Sequence, residues 1–194
     1  MLNRQFDHQV LEEIQGRWSP RAFDPERKVS DDDISALLEA ARYAPSCFNE
    51  QPWMYIIANG GEEKARMVGV LNQSNQEWAS KAPALLMVLA RQKLAQTGKE
   101  NRWHMFDAGT SWGYLSLEAQ RRGLITHAMG GFSVELAREA FSIPEDVSVM
   151  AVVAVGYYGR KEDLSPRNAE REHPQPRKPI DDIIFRGRPK GADS

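Results

Sequence analysis

Two apolar runs, Ala84–Ala90 and Val147–Val155, constrain the fold of this chain more than any other feature. Apart from Ser148, each is apolar at consecutive positions, so a strand formed there must be buried on both faces. Neither run, even with Pro83 added to the first, is long enough to span a bilayer. Strands buried on both faces need covering layers, and the residues around these two runs carry helical periodicity.

Ser30-Asp31-Asp32-Asp33 opens the clearest helix. Ser30 is placed to cap it, Asp33 sits at the capping-box position, and the acidic first turn suits the positive helix end. Ile34, Leu37, Leu38 and Ala41 recur at helical spacing until Pro45 stops the run. Trp53–Ala58 reads as a strand, Glu62–Leu71 as a helix, and His104–Arg122 as a long helix ending in Arg122-Gly123-Leu124. On that long helix Ala108, Trp112, Leu115 and Ala119 form one stripe, and Phe106, Gly109, Gly113 and Leu117 form another. Two such faces imply a central helix or one that packs on a partner. Met129-Gly130-Gly131-Phe132 reads as a tight turn, Ser133 caps a helix through Phe141, and the second buried strand runs from Val147 to Tyr157. Helices and strands without regular alternation predict an α+β fold in one domain, residues 1–194. From Leu164 onward, Pro166, Pro174, Pro176 and Pro179 among charged residues predict an extended C-terminal arm, 164–194. Its apolar cluster Ile180, Ile183, Ile184 and Phe185 would dock on the body or on another subunit.

A formal net charge of −2 and a pI near 6.1 argue against a nucleic-acid binder. One cysteine, Cys47, excludes an intrachain disulfide framework and a Cys-rich metal site, and suits a reducing compartment. The first residues are charged and polar where a signal peptide needs an apolar stretch, so a soluble cytoplasmic protein is expected.

Arg17-Trp18-Ser19-Pro20-Arg21-Ala22-Phe23 offers two guanidinium groups and a hydroxyl, which is what a phosphate takes. Arg177-Lys178 is a second cationic pair, far away in sequence. Two isolated arginines are ordinarily a solvated basic turn, and Arg21 could equally pair with Asp24 or Glu26 on the surface. Pro45-Ser46-Cys47-Phe48-Asn49-Glu50-Gln51-Pro52-Trp53 is a polar turn whose residues taken alone are ordinary turn formers. A lone cysteine is more often an inert buried group than a reactive one, and no His or Asp motif marks Cys47 as a nucleophile. Gly130-Gly131 lacks the spacing of a dinucleotide fingerprint.

Taken in order, these segments resemble the nitroreductase family, small oxidoreductases that carry FMN at a homodimer interface. The likeness runs from Arg17 to about Phe185. It implies a central, mostly antiparallel sheet surrounded by helices, with the C-terminal arm docking on the partner subunit. Arg17, Trp18 and Ser19 would contact the FMN phosphate and ribityl chain, and Arg21 the ring edge. Pro45, Ser46, Cys47 and Asn49 would reach the flavin of the other subunit, with Cys47 standing where many members have serine. Asn75 in Asn75-Gln76-Glu77-Trp78 would bond the polar edge of the isoalloxazine, and Met129, Gly130 and Gly131 would present backbone N–H groups to flavin N5. Arg177 and Lys178 match the family's C-terminal Arg-Lys-Pro at the phosphate. The resemblance implies a ping-pong reaction: NADH or NADPH delivers hydride to N5 and leaves, and a nitroaromatic, quinone or similar small electrophile takes the electrons. No side chain is assigned as acid or base, no metal is expected, and Met129 and Phe48 read as packing residues. A same-fold enzyme that fragments flavin or removes halogen, or a flavin-binding module without turnover, are the alternatives. The short Lys93–Trp103 connection, too small for an elaborate lid, favours the plain reductase.

Overall fold

A computed structural model describes residue 4 and residues 6–187. At its centre is one four-stranded sheet of β1 (Trp53–Ala58), β2 (Ala84–Arg91), β3 (Ile125–Met129) and β4 (Val147–Gly156). The order across the sheet is β1-β2-β4-β3 and every neighbouring pair is antiparallel. The two apolar runs are therefore the two inner strands, as their two-faced apolarity requires. A register shift between Val88 and Leu89 marks a bulge in the β2–β4 ladder.

The pleat divides the apolar residues of β2 between two cores. Leu85, Met87 and Leu89 face a cluster that contains Met67 of α3 (Gly61–Gly69), Trp78 of α4 (Gln73–Ala79) and Ala137 of α6 (Val134–Phe141). Ala84, Leu86, Val88 and Ala90 face the other cluster, with Ile34, Leu37 and Ala41 of α2 (Asp31–Arg42) and Ala108, Leu115 and Ala119 of α5 (His104–Arg121). The result is a helix–sheet–helix sandwich, and fully burying a side chain such as Leu37 or Leu86 contributes roughly 1.5–3 kcal/mol.

Local signals explain most element ends. Ser30 Oγ accepts the Asp33 N–H at 3.0 Å and donates to Asp33 Oδ2 at 2.8 Å, closing the expected capping box. Ser133 caps α6 through the Leu136 N–H, and Gly123, at φ +72°, lets the chain leave α5. The stripe Ala108–Leu115–Ala119 is buried as expected, whereas Phe106 on the second stripe is 73% exposed and a Cβ on Gly109 or Gly113 would meet open space.

Three readings need correction. Met129 closes strand β3 rather than opening a turn, and β3 itself, with Thr126 and His127 inside it, carries no apolar alternation to reveal it. The chain beyond Leu164 is not extended at once: Pro166 at the first helical position starts α7 (Pro166–Glu170), preceded by α1 (Glu12–Gly16) as the other short helix. Asn168 and Glu172 are buried against the chain's own body, so arm character begins only after Glu172, and residues 188–194 of the expected arm lie outside the described residues. Phe48, expected to pack, is 88% exposed.

Candidate functional site

The segment carrying Arg17, Ser19 and Arg21 is tied down at nearly every residue. Ala22 and Phe23 are buried, and Phe23 stacks on Trp78 with ring centroids 6.0 Å apart. The Gly159 N–H donates to the Ala22 carbonyl at 2.8 Å, and the Asp24 N–H to the Tyr157 carbonyl at 3.0 Å. Glu172 accepts the N–H groups of both Arg21 and Ala22 at 2.9 Å. His127 Nδ1 lies 2.9 Å from the Pro20 carbonyl; since a carbonyl only accepts, that nitrogen carries the proton and Nε2 is left as an acceptor. The His127 ring also packs on Trp78, with centroids 4.5 Å apart. Burial lowers the His127 pKa to about 4, with the charges of Arg21 and Arg17 adding to it against the opposing bond to Pro20, so the ring is neutral near pH 7.

Arg17, Ser19, Arg21, His127, Arg171 and Arg177 line a cavity of about 480 Å³, within the range of small-molecule sites. The sequence pairs that are 160 residues apart thus meet: the extended chain after Glu172 brings Arg177 to Arg17. Among the described residues no carboxylate lies within ion-pair distance of Arg17, Arg21, Arg171 or Arg177. Burial lowers the pKa of Arg17, and the positive charges of Arg4 and Arg177 lower it further. Burial followed by the charge of Arg171 does the same to Arg21, against the opposing pull of Glu172. Arg4 joins the cluster by donating to the Arg17 carbonyl at 2.7 Å. A concentration of uncompensated guanidinium groups in a half-buried cavity is the electrostatic complement of a phosphate. Trp18 lines the same cavity and leans on Tyr158, whereas Lys178 is exposed and is not among the lining residues.

A second cavity, of about 140 Å³, shares Arg21 and Arg171 with the first and adds Asn75. Asn75 stands in the first turn of α4, which Asn72 caps by accepting the Asn75 N–H at 3.0 Å. The Asn75 Nδ2 donates to the Gly131 carbonyl at 3.0 Å, so the two matched positions are in direct contact. A Cβ on Gly131 would fall 2.7 Å from Asn75 Nδ2, which explains why glycine stands there. Gly130 is exposed, while the Met129 side chain is 3% exposed inside the core, leaving only its backbone to face a ligand.

Pro45, Ser46, Cys47 and Asn49 are not brought to these cavities. Their loop leaves the far end of α2 and folds over the start of α5, where the Cys47 N–H donates to Asp107 Oδ2 at 3.1 Å. The Gln51 N–H donates to Ser46 Oγ and the Ala95 N–H to Glu50 Oε2, pinning it further. Phe48, Asn49 and Gln51 have φ of 53°, 58° and 48°, three left-handed non-glycine residues within four positions. Such strain persists only where surrounding contacts impose it, and it is concentrated at functional segments. The lining residues His127, Arg171 and His173, and the supporting Arg4 and Glu172, have no counterpart in the sequence reading. None belongs to a local pattern; only the fold gathers them.

A family model described as the nitroreductase family matches residues 14–76 and 63–157. The major NAD(P)H-flavin oxidoreductase of Aliivibrio fischeri is 25% identical over 91% of this chain and 98% of its own length. A solved structure described as an oxidoreductase containing FMN is 37% identical, with a TM-score of 0.92 over 97% of this chain and 96% of that one. A nitroreductase family protein from Streptococcus pneumoniae, 21% identical over 92% of this chain and all of its own, has the same fold with a TM-score of 0.76.

Proposed function

The chain belongs to the nitroreductase family, and from that premise we propose that it is an FMN-dependent oxidoreductase that takes electrons from NADH or NADPH. It passes them to nitroaromatics, quinones or similar small electrophiles. The observation that carries this reading is the convergence of Arg17, Arg21 and Arg177 on one cavity, with no carboxylate within ion-pair distance of them among the described residues.

The residues fit FMN on chemical grounds. Its phosphate would offset the burial, and the repulsion from Arg4 and Arg177, that depress the pKa of Arg17, with Ser19 as the neutral donor and Arg4 supporting from behind. The polar edge of its ring needs a donor and an acceptor together, which the side-chain amide of Asn75 supplies beside Arg21. Gly130, exposed and with open space where a Cβ would stand, leaves backbone open to the ring, while Gly131 makes room for the Asn72 and Asn75 amides. When bound, the flavin supplies the redox chemistry, and the protein supplies binding, orientation and electrostatics. Arg21 would place positive charge beside the ring edge, which would favour the reduced, electron-rich state. Glu172 and the neutral His127 hold the Ser19–Arg21 backbone in position rather than moving protons.

The site is incomplete within one chain, because the strained loop at Pro45–Asn49 stands over α5 instead. We assign that loop to the flavin of a second copy. The exposed face of α5 with Phe106, Gly109 and Gly113, and the half-exposed Ile180, Ile184 and Phe185, supply apolar surface for a homodimer. Residues 173–187 would act as the clasping arm of a single domain. Among the described residues no helix is long and apolar enough to cross a membrane, and the free Cys47 suits the cytoplasm.

A visible spectrum of purified protein, followed by anaerobic NADH or NADPH, tests the reading. A bound-flavin band that bleaches and returns on adding a nitroaromatic or quinone is the expected result. Absence of any restorable flavin would overturn it.

A further inference from the structure

The first and second cavities share Arg21 and Arg171, and the second shares Ser74, Glu77 and Arg167 with a third, open one of about 640 Å³. The three thus adjoin through shared side chains, from the Arg17–Arg177 end, past Asn75, to residues of α4 and α7. On the reading above, Arg17 and Arg177 serve the flavin phosphate and Arg21 the ring edge. Two further guanidinium groups have no contact assigned: Arg171, which the first and second cavities share, and Arg167, which the second and third share. They stand four residues apart on α7 and its C-cap, a spacing that puts both on one face and makes like charges repel.

Neither has a carboxylate within ion-pair distance among the described residues. Glu77 is the carboxylate of this stretch, and its Oε2 is engaged by Asn168 Nδ2 at 3.2 Å. Glu172 is turned inward to the backbone of Arg21 and Ala22. Apart from Val68, the rest of the third cavity is lined by amides and hydroxyls, those of Gln73, Ser74, Gln76 and Ser80. Such a surface suits the sugar and phosphate parts of a nucleotide better than an apolar electron acceptor.

We propose that Arg167 and Arg171 form a second phosphate subsite, which holds a phosphate of the reduced nicotinamide nucleotide while its ring reaches the flavin. This rests on the flavin reading of the first cavity. Two phosphates carry the same chemistry: the pyrophosphate common to NADH and NADPH, and the 2′-phosphate that only NADPH has. Arg167 tests the subsite apart from the flavin phosphate, since it lines the second and third cavities but not the first.

The test compares wild type with Arg167→Ala and Arg167→Glu in steady-state kinetics, using NADPH and NADH in turn with one fixed acceptor and measuring FMN per subunit. The expected result is a rise in KM of about tenfold for Arg167→Ala, larger for Arg167→Glu, at unchanged FMN content and kcat. A rise confined to NADPH assigns the 2′-phosphate; an equal rise for both nucleotides assigns the pyrophosphate. Restoration by Arg167→Lys confirms that charge is what matters. KM values within twofold of wild type for both nucleotides in both variants would overturn the subsite while leaving the flavin reading intact. Failure of the flavin reading shows separately, as wild-type protein that neither holds FMN nor is reduced, and it would remove the subsite with it.

Discussion

Glu172 accepts the backbone N–H of Arg21 with both carboxylate oxygens at 2.9 Å, across 151 residues of sequence. One oxygen also takes the Ala22 N–H at 2.9 Å. The carboxylate is 5% exposed and has no cationic side chain within ion-pair distance among the described residues, so the main chain holds it. This bond joins the two arginine-bearing segments that line the first cavity. It fixes the backbone from which Arg21 projects, and it fixes the point where the C-terminal chain turns toward Arg177.

Replacing that carboxylate should loosen both ends at once. Glu172→Ala leaves two buried N–H groups without acceptors, a loss of about 2–4 kcal/mol. Glu172→Gln keeps one acceptor oxygen and should lose less. Denaturant unfolding gives the stability, and FMN titration of the same samples should show weaker binding in the order wild type, Gln, Ala. Equal stability in all three would mean that the clamp is not structural.

Arg17→Ala and Arg177→Ala should separate binding from folding. Each removes a charge-assisted contact to phosphate, roughly 1.5–3 kcal/mol, and so weakens FMN binding about 10- to 100-fold. The flavin-free variants should be no less stable than wild type, because Arg17 is already under repulsion from Arg4 and Arg177. Isothermal titration with FMN and thermal melts without it are the measurements. Unchanged FMN affinity in the double variant would remove the phosphate assignment.

The sheet and the α2/α5 layer were legible because their cause is local. Consecutive apolar residues leave β2 and β4 no solvated face, and Ser30 with Asp33 caps α2 wherever the helix lies. Strand β3 escaped because its partner, β4, determines it: Thr126 and His127 belong to a strand only once Val155 and Ala154 stand beside them. Helix α4 escaped because Gln73–Ala79 is mostly polar and buries only Trp78 and Ala79. The site divides the same way. Arg17, Ser19, Arg21 and Asn75 sit in recognisable segments, whereas Arg171 and Glu172 gain meaning only from the turn after α7, and His127 only from its contact with Pro20.

His127 should leave a signature in the pH dependence of stability. Its folded-state pKa, about 4, lies below the ordinary value of 6.5, so protons bind the unfolded chain more readily. The stabilisation from the neutral ring is therefore complete above pH 6.5 and is lost as pH falls from 6.5 to about 4. Over that window flavin-free wild type should lose up to roughly 3 kcal/mol more than His127→Gln, which has nothing to protonate there. Urea midpoints of both proteins at several pH values give the difference, in which the carboxylates common to both cancel. Parallel curves would show that the ring is not held neutral.

The loop at Pro45–Asn49 makes assembly and flavin binding one prediction. Phe106 is 73% exposed on α5, beside Gly109 and Gly113, whose missing side chains leave room for a second backbone. The loop is pinned to the same helix through Asp107. A copy seated on this face would cover Phe106 and carry its own loop toward the first copy's flavin. Phe106→Glu places a charge where a partner would have to desolvate it, which a dimer cannot absorb without a counter-charge. Its own fold should survive, since the side chain touches solvent. Light scattering should therefore report a monomer with native circular dichroism, and FMN content should fall with the dimer. A Phe106→Glu monomer that keeps its flavin at wild-type affinity would mean that one chain completes the site, and the strained loop would then need a different role.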